Sequence, residues 1–117
     1  MDSSPLRGDV FVANLDPAEG SEQGGTRPVV VVSRDALNKF SPIVVIASIT
    51  DAANKKKIYP SHVRVHVGTG GLTMESIVVC EQVRAISKTR LTKMLGKFDK
   101  ATMTSIEAAL KITLDLT

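Results

Sequence analysis

Arginine beside proline is the most suggestive chemical feature of the chain. Thr26-Arg27-Pro28 closes a segment, residues 16–26, made of small and polar residues with glycines at 20, 24 and 25. Proline disfavours helical backbone in the residue before it, so Arg27 is held extended and its side chain is aimed. A planar guanidinium can give two parallel hydrogen bonds to phosphoryl oxygens and stabilise charge that builds up there during transfer. The competing assignment is a surface arginine paired with Glu19 or Glu22.

Strand pairing brings a second polar residue to the same rim. If residues 28–32 and 42–50 pair antiparallel, as sequence neighbours commonly do, Ser33 falls near Ile43 and Arg27 comes within a residue of Thr50. Segments 16–26 and 51–61 emerge at that same rim. Both are longer than the roughly 2–5 residues of a hairpin loop, and loops of that kind tend to carry function. Lys55, Lys56 and Lys57 in the second loop read as a solvated run or as phosphate contacts. His62 and His66 are the residues that titrate near neutrality. Four residues apart on a strand puts them about 13 Å from each other at about 3.3 Å per residue, too far to flank one phosphate. With Arg64 between them they are expected to form a solvated face or a rim of the site. Cys80, the single cysteine, lies in the apolar run 77–80 and is expected to be buried and unreactive. One cysteine and two separated histidines fit no common zinc spacing, so no metal and no cofactor are expected.

The elements that must hold these residues are mostly strands. Gly8 to Leu15 reads as a first strand and Pro28 to Val32 as a second, its unbroken β-branched run pointing to cover on both faces. Ser33-Arg34-Asp35 offers a cap to a short helical turn before a third strand over 42–50. Val63, Val65 and Val67 alternate with polar residues in a fourth, and strands over 76–80 and 82–86 follow. Leu91, Met94 and Leu95 suggest a short helix ended by Gly96. Asp99 can cap a longer one, in which Met103, Ile106, Leu110 and Leu114 share a face. Strands first and a helix last, with no βαβ rhythm, predict a mainly β fold: a small, strongly bent sheet or barrel with one closing C-terminal helix. The apolar surface of the second strand and of that helix exceeds what one small barrel covers, which points to symmetric association of two chains.

Composition narrows the function classes. The chain has 117 residues with a formal charge of +3, enough to permit nucleic-acid binding without demanding it. Residues 1–6 read as a flexible N-terminus and 7–117 as one domain. No apolar run approaches the about 18 residues that span a bilayer, and the N-terminus lacks signal-peptide features, so the cytoplasm is the expected location and no membrane is a partner. Three phenylalanines, one tyrosine and no tryptophan are too few for a base-stacking platform. They also argue against the alternative function, a non-catalytic SH3-like module binding protein or nucleic acid, because grooves for extended peptides need aromatic walls.

Arg7-Gly8-Asp9-Val10, Asp16-Pro17 with Gly20-Ser21-Glu22-Gln23-Gly24, Thr26-Arg27-Pro28, Ser48-Ile49-Thr50 and Glu81-Gln82-Val83-Arg84 stand in an order and spacing that resembles the MazF/PemK family of toxin endoribonucleases. The resemblance runs from about Arg7 to Leu116. It implies an SH3-like barrel with a C-terminal helix, a homodimer, metal-independent and sequence-specific cleavage of single-stranded RNA, and a small antitoxin partner. It assigns the catalytic arginine to Arg27 and its hydroxyl partner to Thr50. Ser21, Glu22 and Gln23 match a substrate-gating loop, and Glu81 and Gln82 match positions lining the RNA groove. One branch of the family has arginine and aspartate where this chain has Val79 and Glu81, and histidine in place of Ser21; the chain sides with the MazF branch. The implied reaction is attack of the RNA 2′-hydroxyl on the adjacent phosphate, giving a 2′,3′-cyclic phosphate and a 5′-hydroxyl. Lys56 and Lys57 would add phosphate contacts. A rim rich in Arg27, Lys55 to Lys57 and Arg84 also attracts acidic peptides, so the antitoxin is expected to be acidic.

Overall fold

Val29, Val30 and Val31 are consecutive and all fully buried, which requires a core on both sides of the strand that carries them. The computed structural model describes residues 3–117; Met1 and Asp2, part of the N-terminus expected to be flexible, lie outside the described residues. Strand β2 (Thr26–Val31) runs between β1 (Asp9–Asn14) and β3 (Ile43–Asp51) in a six-stranded sheet. With β4 (His62–Val65), β5 (Ser76–Ser87) and β6 (Leu91–Lys97), the spatial order is β4-β5-β3-β2-β1-β6, and every neighbouring pair is antiparallel. The sheet stays open, with β4 and β6 as its edges. Val30 joins a core with Val10, Ala47, Val78 and the helix residues Met103, Ile106 and Ala109, while Val29 and Val31 pack with Ala13, Leu15, Val44 and Ile46.

Helix α1 (Asp35–Phe40) is short and lies between β2 and β3. The cap expected from Ser33-Arg34-Asp35 does not form: Arg34 holds the N-cap position with no side-chain cap bond, and Ser33 is engaged elsewhere. Its hydroxyl contacts Asn38 Oδ1 and accepts from Val45 N–H at 3.0 Å, tying the helix to β3. Helix α2 (Lys100–Leu114) begins as expected at Asp99, whose carboxylate accepts from Thr102 N–H at 2.8 Å. Full burial of a side chain such as Ile106 contributes about 1.5–3 kcal/mol. Leu114, expected on the inner face, is exposed. The valines of β2 are covered within the chain itself, so they supply none of the surplus apolar surface expected of them; Ile112, Leu114 and Leu116 near the C-terminus do.

Two strand expectations are corrected. Leu91–Lys97 is not a short helix but the edge strand β6, paired with β1 through two register shifts. The open edge of β1 offers it a ladder, and a segment of one or two turns cannot overcome helix nucleation alone. Gly96 ends no helix: a Cβ there would lie 2.7 Å from the backbone of Gly70, and one at Gly71 would lie 2.1 Å from Leu95 O, so the turn after β4 can press against β6 only because Gly96 and Gly71 are glycine. Segments 76–80 and 82–86 form one strand interrupted by a bulge. Ala47 faces Val83 but Ser48 faces Val79, leaving residues 80–82 outside the ladder with β3.

Candidate active site

The pairing of β2 with β3 places Val29 opposite Ser48; carried two residues on, it sets Arg27 across from Thr50, as the sequence predicts. The side chains have separate partners. Arg27 is half-buried, its Nε donating to Gly24 O at 2.8 Å and its Nη1 to Gln23 Oε1. Neither Glu19 nor Glu22 takes it; Glu22 Oε1 accepts from Glu19 N–H instead. Thr50 is buried, and its Oγ1 accepts from Asn54 Nδ2 at 3.3 Å. It lines a mostly apolar cavity of about 300 Å³ with Pro28, Asp51, Leu72 and Met74.

Residues 15–25 fold back over the site. Asp16 Oδ1 accepts from Gly25 N–H at 2.7 Å, and a Cβ at Gly24 would stand 2.8 Å from Ala18 Cβ and 3.0 Å from Asp16 Oδ1. Gln82 fastens the tip, its Oε1 accepting from Gln23 N–H at 3.1 Å and its Nε2 donating to Ser21 O at 3.2 Å. Ser21, Gln23, Arg27 and Gln82 thus form one chain of hydrogen bonds. Glu22 borders a second cavity of about 240 Å³ together with Glu81, Gln82, Val83 and Arg84. The bulge in β5 delivers Glu81 and Gln82 there, because residues released from a ladder can aim their side chains away from the pleat.

His62 departs from the expected solvated face. Its side chain is 1% exposed, and its Nε2 lies 2.9 Å from Glu81 Oε2. Alternation fails at the start of β4, where the chain turns inward from residues 52–61. Of the two histidines only His66 is solvent-facing, at 82% exposure, with Nδ1 3.2 Å from Glu75 Oε2, and Arg64 is exposed beside it. Ser61 Oγ donates to Glu81 Oε1 at 2.7 Å, so both carboxylate oxygens are engaged. Partial burial raises the Glu81 pKa, but hydrogen bonds from Ser61, its own N–H and His62 outweigh this and hold the carboxyl below its ordinary value. Cys80 is buried as expected; burial, with the charge of Glu81, pushes its thiol up to about 12. Lys56 and Lys57 are exposed on the loop before β4. Arg84 Nη1 donates to Leu15 O at 3.3 Å, bracing the base of the first loop. Among the described residues no three of His, Cys, Asp and Glu are grouped as a metal ion would require, and no helix is long and apolar enough to cross a membrane. Sequence reasoning missed the roles of Ser61, His62 and Asn54, whose partners are set by where the loop 52–61 folds.

This open sheet with its single closing helix is the fold of solved toxin nucleases. An endoribonuclease in complex with its cognate antitoxin, from Mycobacterial species, matches with a TM-score of 0.80 at 28% identity, over 97% of this chain and 98% of that one. MazF from Deinococcus radiodurans matches with a TM-score of 0.82 at 24% identity over 97% and 99%, which speaks for the fold alone. Endoribonuclease MazF of Staphylococcus epidermidis is 44% identical over 110 residues, 94% of this chain and 91% of its own length. Residues 6–114 match the family described as PemK-like, MazF-like toxin of type II toxin-antitoxin system. The chain belongs to that family.

Proposed function

We propose that this endoribonuclease toxin cleaves single-stranded RNA at a short sequence, without a metal, by attack of the 2′-hydroxyl on the adjacent phosphorus. The P–O5′ bond breaks, leaving a 2′,3′-cyclic phosphate and a 5′-hydroxyl. The observation that carries this reading is the β2–β3 register, which carried two residues past Val29 and Ser48 sets Arg27 across from Thr50, beside a loop that closes on Arg27. Arg27 has Nε and Nη1 occupied by its own loop, and its Nη2 remains for a phosphoryl oxygen. A guanidinium so preoriented stabilises the charge of the phosphorane at little reorganisation cost. Thr50 orients the phosphate. Ser21, Glu22 and Gln23 gate the groove, Glu81 and Gln82 line it, and Lys56 and Lys57 hold flanking phosphates with salt-dependent affinity.

The same reading gives the enzyme two protein partners: a second copy of the chain, for which the exposed Ile112, Leu114 and Leu116 supply apolar surface, and a small acidic antitoxin laid across the basic rim. The test is incubation of the purified chain with a long RNA in EDTA, followed by mapping of the cut ends. Discrete cuts with 5′-hydroxyl ends are expected. No cutting, a strict requirement for added magnesium, or 5′-phosphate ends would overturn the chemistry. Sedimentation showing only single chains at micromolar concentration would overturn the dimer.

A further inference from the structure

Glu81 is an unusual group for a groove that holds a polyanion, since a carboxylate repels phosphate. It is also held at both oxygens: Ser61 engages one and His62 the other. The histidine is fixed in turn. Its Nδ1 accepts from Tyr59 N–H at 3.2 Å, which leaves the ring proton on Nε2, directed at Glu81. Tyr59 packs edge-on against the imidazole, with ring centroids 5.4 Å apart. Cys80 N–H donates to Ser61 O at 2.9 Å and joins the two segments once more. Two consecutive residues therefore immobilise a carboxylate whose side chain stays 40% exposed and borders the 240 Å³ cavity.

Resting on the proposed RNA cleavage, we infer that His62 and Ser61 are positioning residues for base selection, acting through Glu81. A clamped carboxylate keeps one lone-pair direction per oxygen for a ligand, and it accepts only. It therefore favours a base that presents an amino group and disfavours uracil, whose single pairing-edge donor, N3–H, stands between two carbonyl oxygens that repel a carboxylate. The clamp matters because a free carboxylate would swing to solvent and read nothing.

The test uses the full-length chain and RNAs randomised around one cut site, with the base preference at each position read by sequencing the ends. Glu81→Gln should flatten the preference for amino-bearing bases at a single position by about fivefold or more. Ser61→Ala and His62→Leu should weaken the preference at that same position and leave the others unchanged. His62→Gln, which keeps an N–H donor, should recover part of it. In the Glu81→Gln background the Ser61 and His62 changes should add nothing, because they act through a group no longer present. If His62→Leu does not fold, the exposed-side partner Ser61→Ala decides alone. Folded variants that lower cleavage equally at every position, with preferences intact, would reduce the clamp to a structural role and overturn the inference. So would further loss in the Glu81→Gln background. Absence of cleavage by the unaltered chain would instead overturn the nuclease reading, and the inference with it.

Discussion

The two loops at the rim have similar length and polarity in the sequence, yet the chain fastens them in different ways. Residues 15–25 are secured at their base, where Arg90 Nη1 donates to Asp16 O at 2.5 Å, but their tip hangs on Gln82 and Arg27. Residues 52–61 are secured along their length: Ala52 N–H donates to Glu75 O at 2.9 Å, Asn54 reaches Thr50, and Tyr59 and Ser61 are held through His62, Glu81 and Cys80. Opening the first loop costs a few hydrogen bonds that water can replace, each worth about 0.5–1.5 kcal/mol. Opening the second takes Tyr59 N–H from the buried His62 and Ser61 from Glu81. Under the proposed function the first loop moves aside for the RNA and the second stays still beneath it.

The largest effect expected is at the residue where the moving loop meets the chemistry. Arg27→Ala should keep the fold, free the tip of the first loop and lower RNA cleavage by about two to three orders of magnitude, the scale of losing one preoriented donor to a developing anion. Near-normal cleavage by a folded variant would sink both the assignment and the contrast between the loops. Thr50→Ala touches the fixed loop through Asn54 and should cost less, about tenfold to a hundredfold. A competition assay sharpens the contrast further. A short uncleavable RNA and an acidic antitoxin segment should displace each other, with mutual affinity falling as salt rises; simultaneous binding without loss would rule out occlusion of the first loop.

Smaller effects follow for the fixed loop. The Glu81 carboxyl lies below its ordinary value of 4.5, so its hydrogen bonds to Ser61 and His62 contribute fully above that value and are lost as pH falls through the lowered one. Glu22, Arg84 and His62 are the other ionisable groups around it. Amide exchange at Tyr59 and Cys80, corrected for the intrinsic rate, should therefore quicken below about pH 4, while Gln23 changes little. Equal acceleration in both loops would break the comparison. The smallest effect is a silence: with its thiol pushed up to about 12, native Cys80 should resist alkylation at neutral pH and react once the chain is unfolded.

How much of this could be read from the residues depends on how local the cause is. The β-branched run 29–31 and the capped, periodic helix after Asp99 carry their own instructions, and both formed as expected. Arg27 and Thr50 were legible because a simple antiparallel register joins them. Leu91–Lys97 was not, since its spacing suits a helix and only the free edge of β1 makes it a strand. His62 was misread for the same reason: its alternation with valines is real, but the loop behind it and a carboxylate nineteen residues away along the chain decide where the ring points.

The bulge at residues 80–82 has a consequence for how such an enzyme could change over time. Gln82 and Glu81 stand outside the β3–β5 ladder, so exchanging them removes no backbone hydrogen bond between those strands. Exchanging Gln82 frees Gln23 N–H and Ser21 O at the loop tip, which water can answer, whereas exchanging Glu81 leaves the buried His62 unanswered. A lineage could try new residues at Gln82 for the loss of two hydrogen bonds at the first loop, and at Glu81 only in step with His62. The sheet thus separates what must persist from what is free to vary, and substrate preference would diverge along that seam.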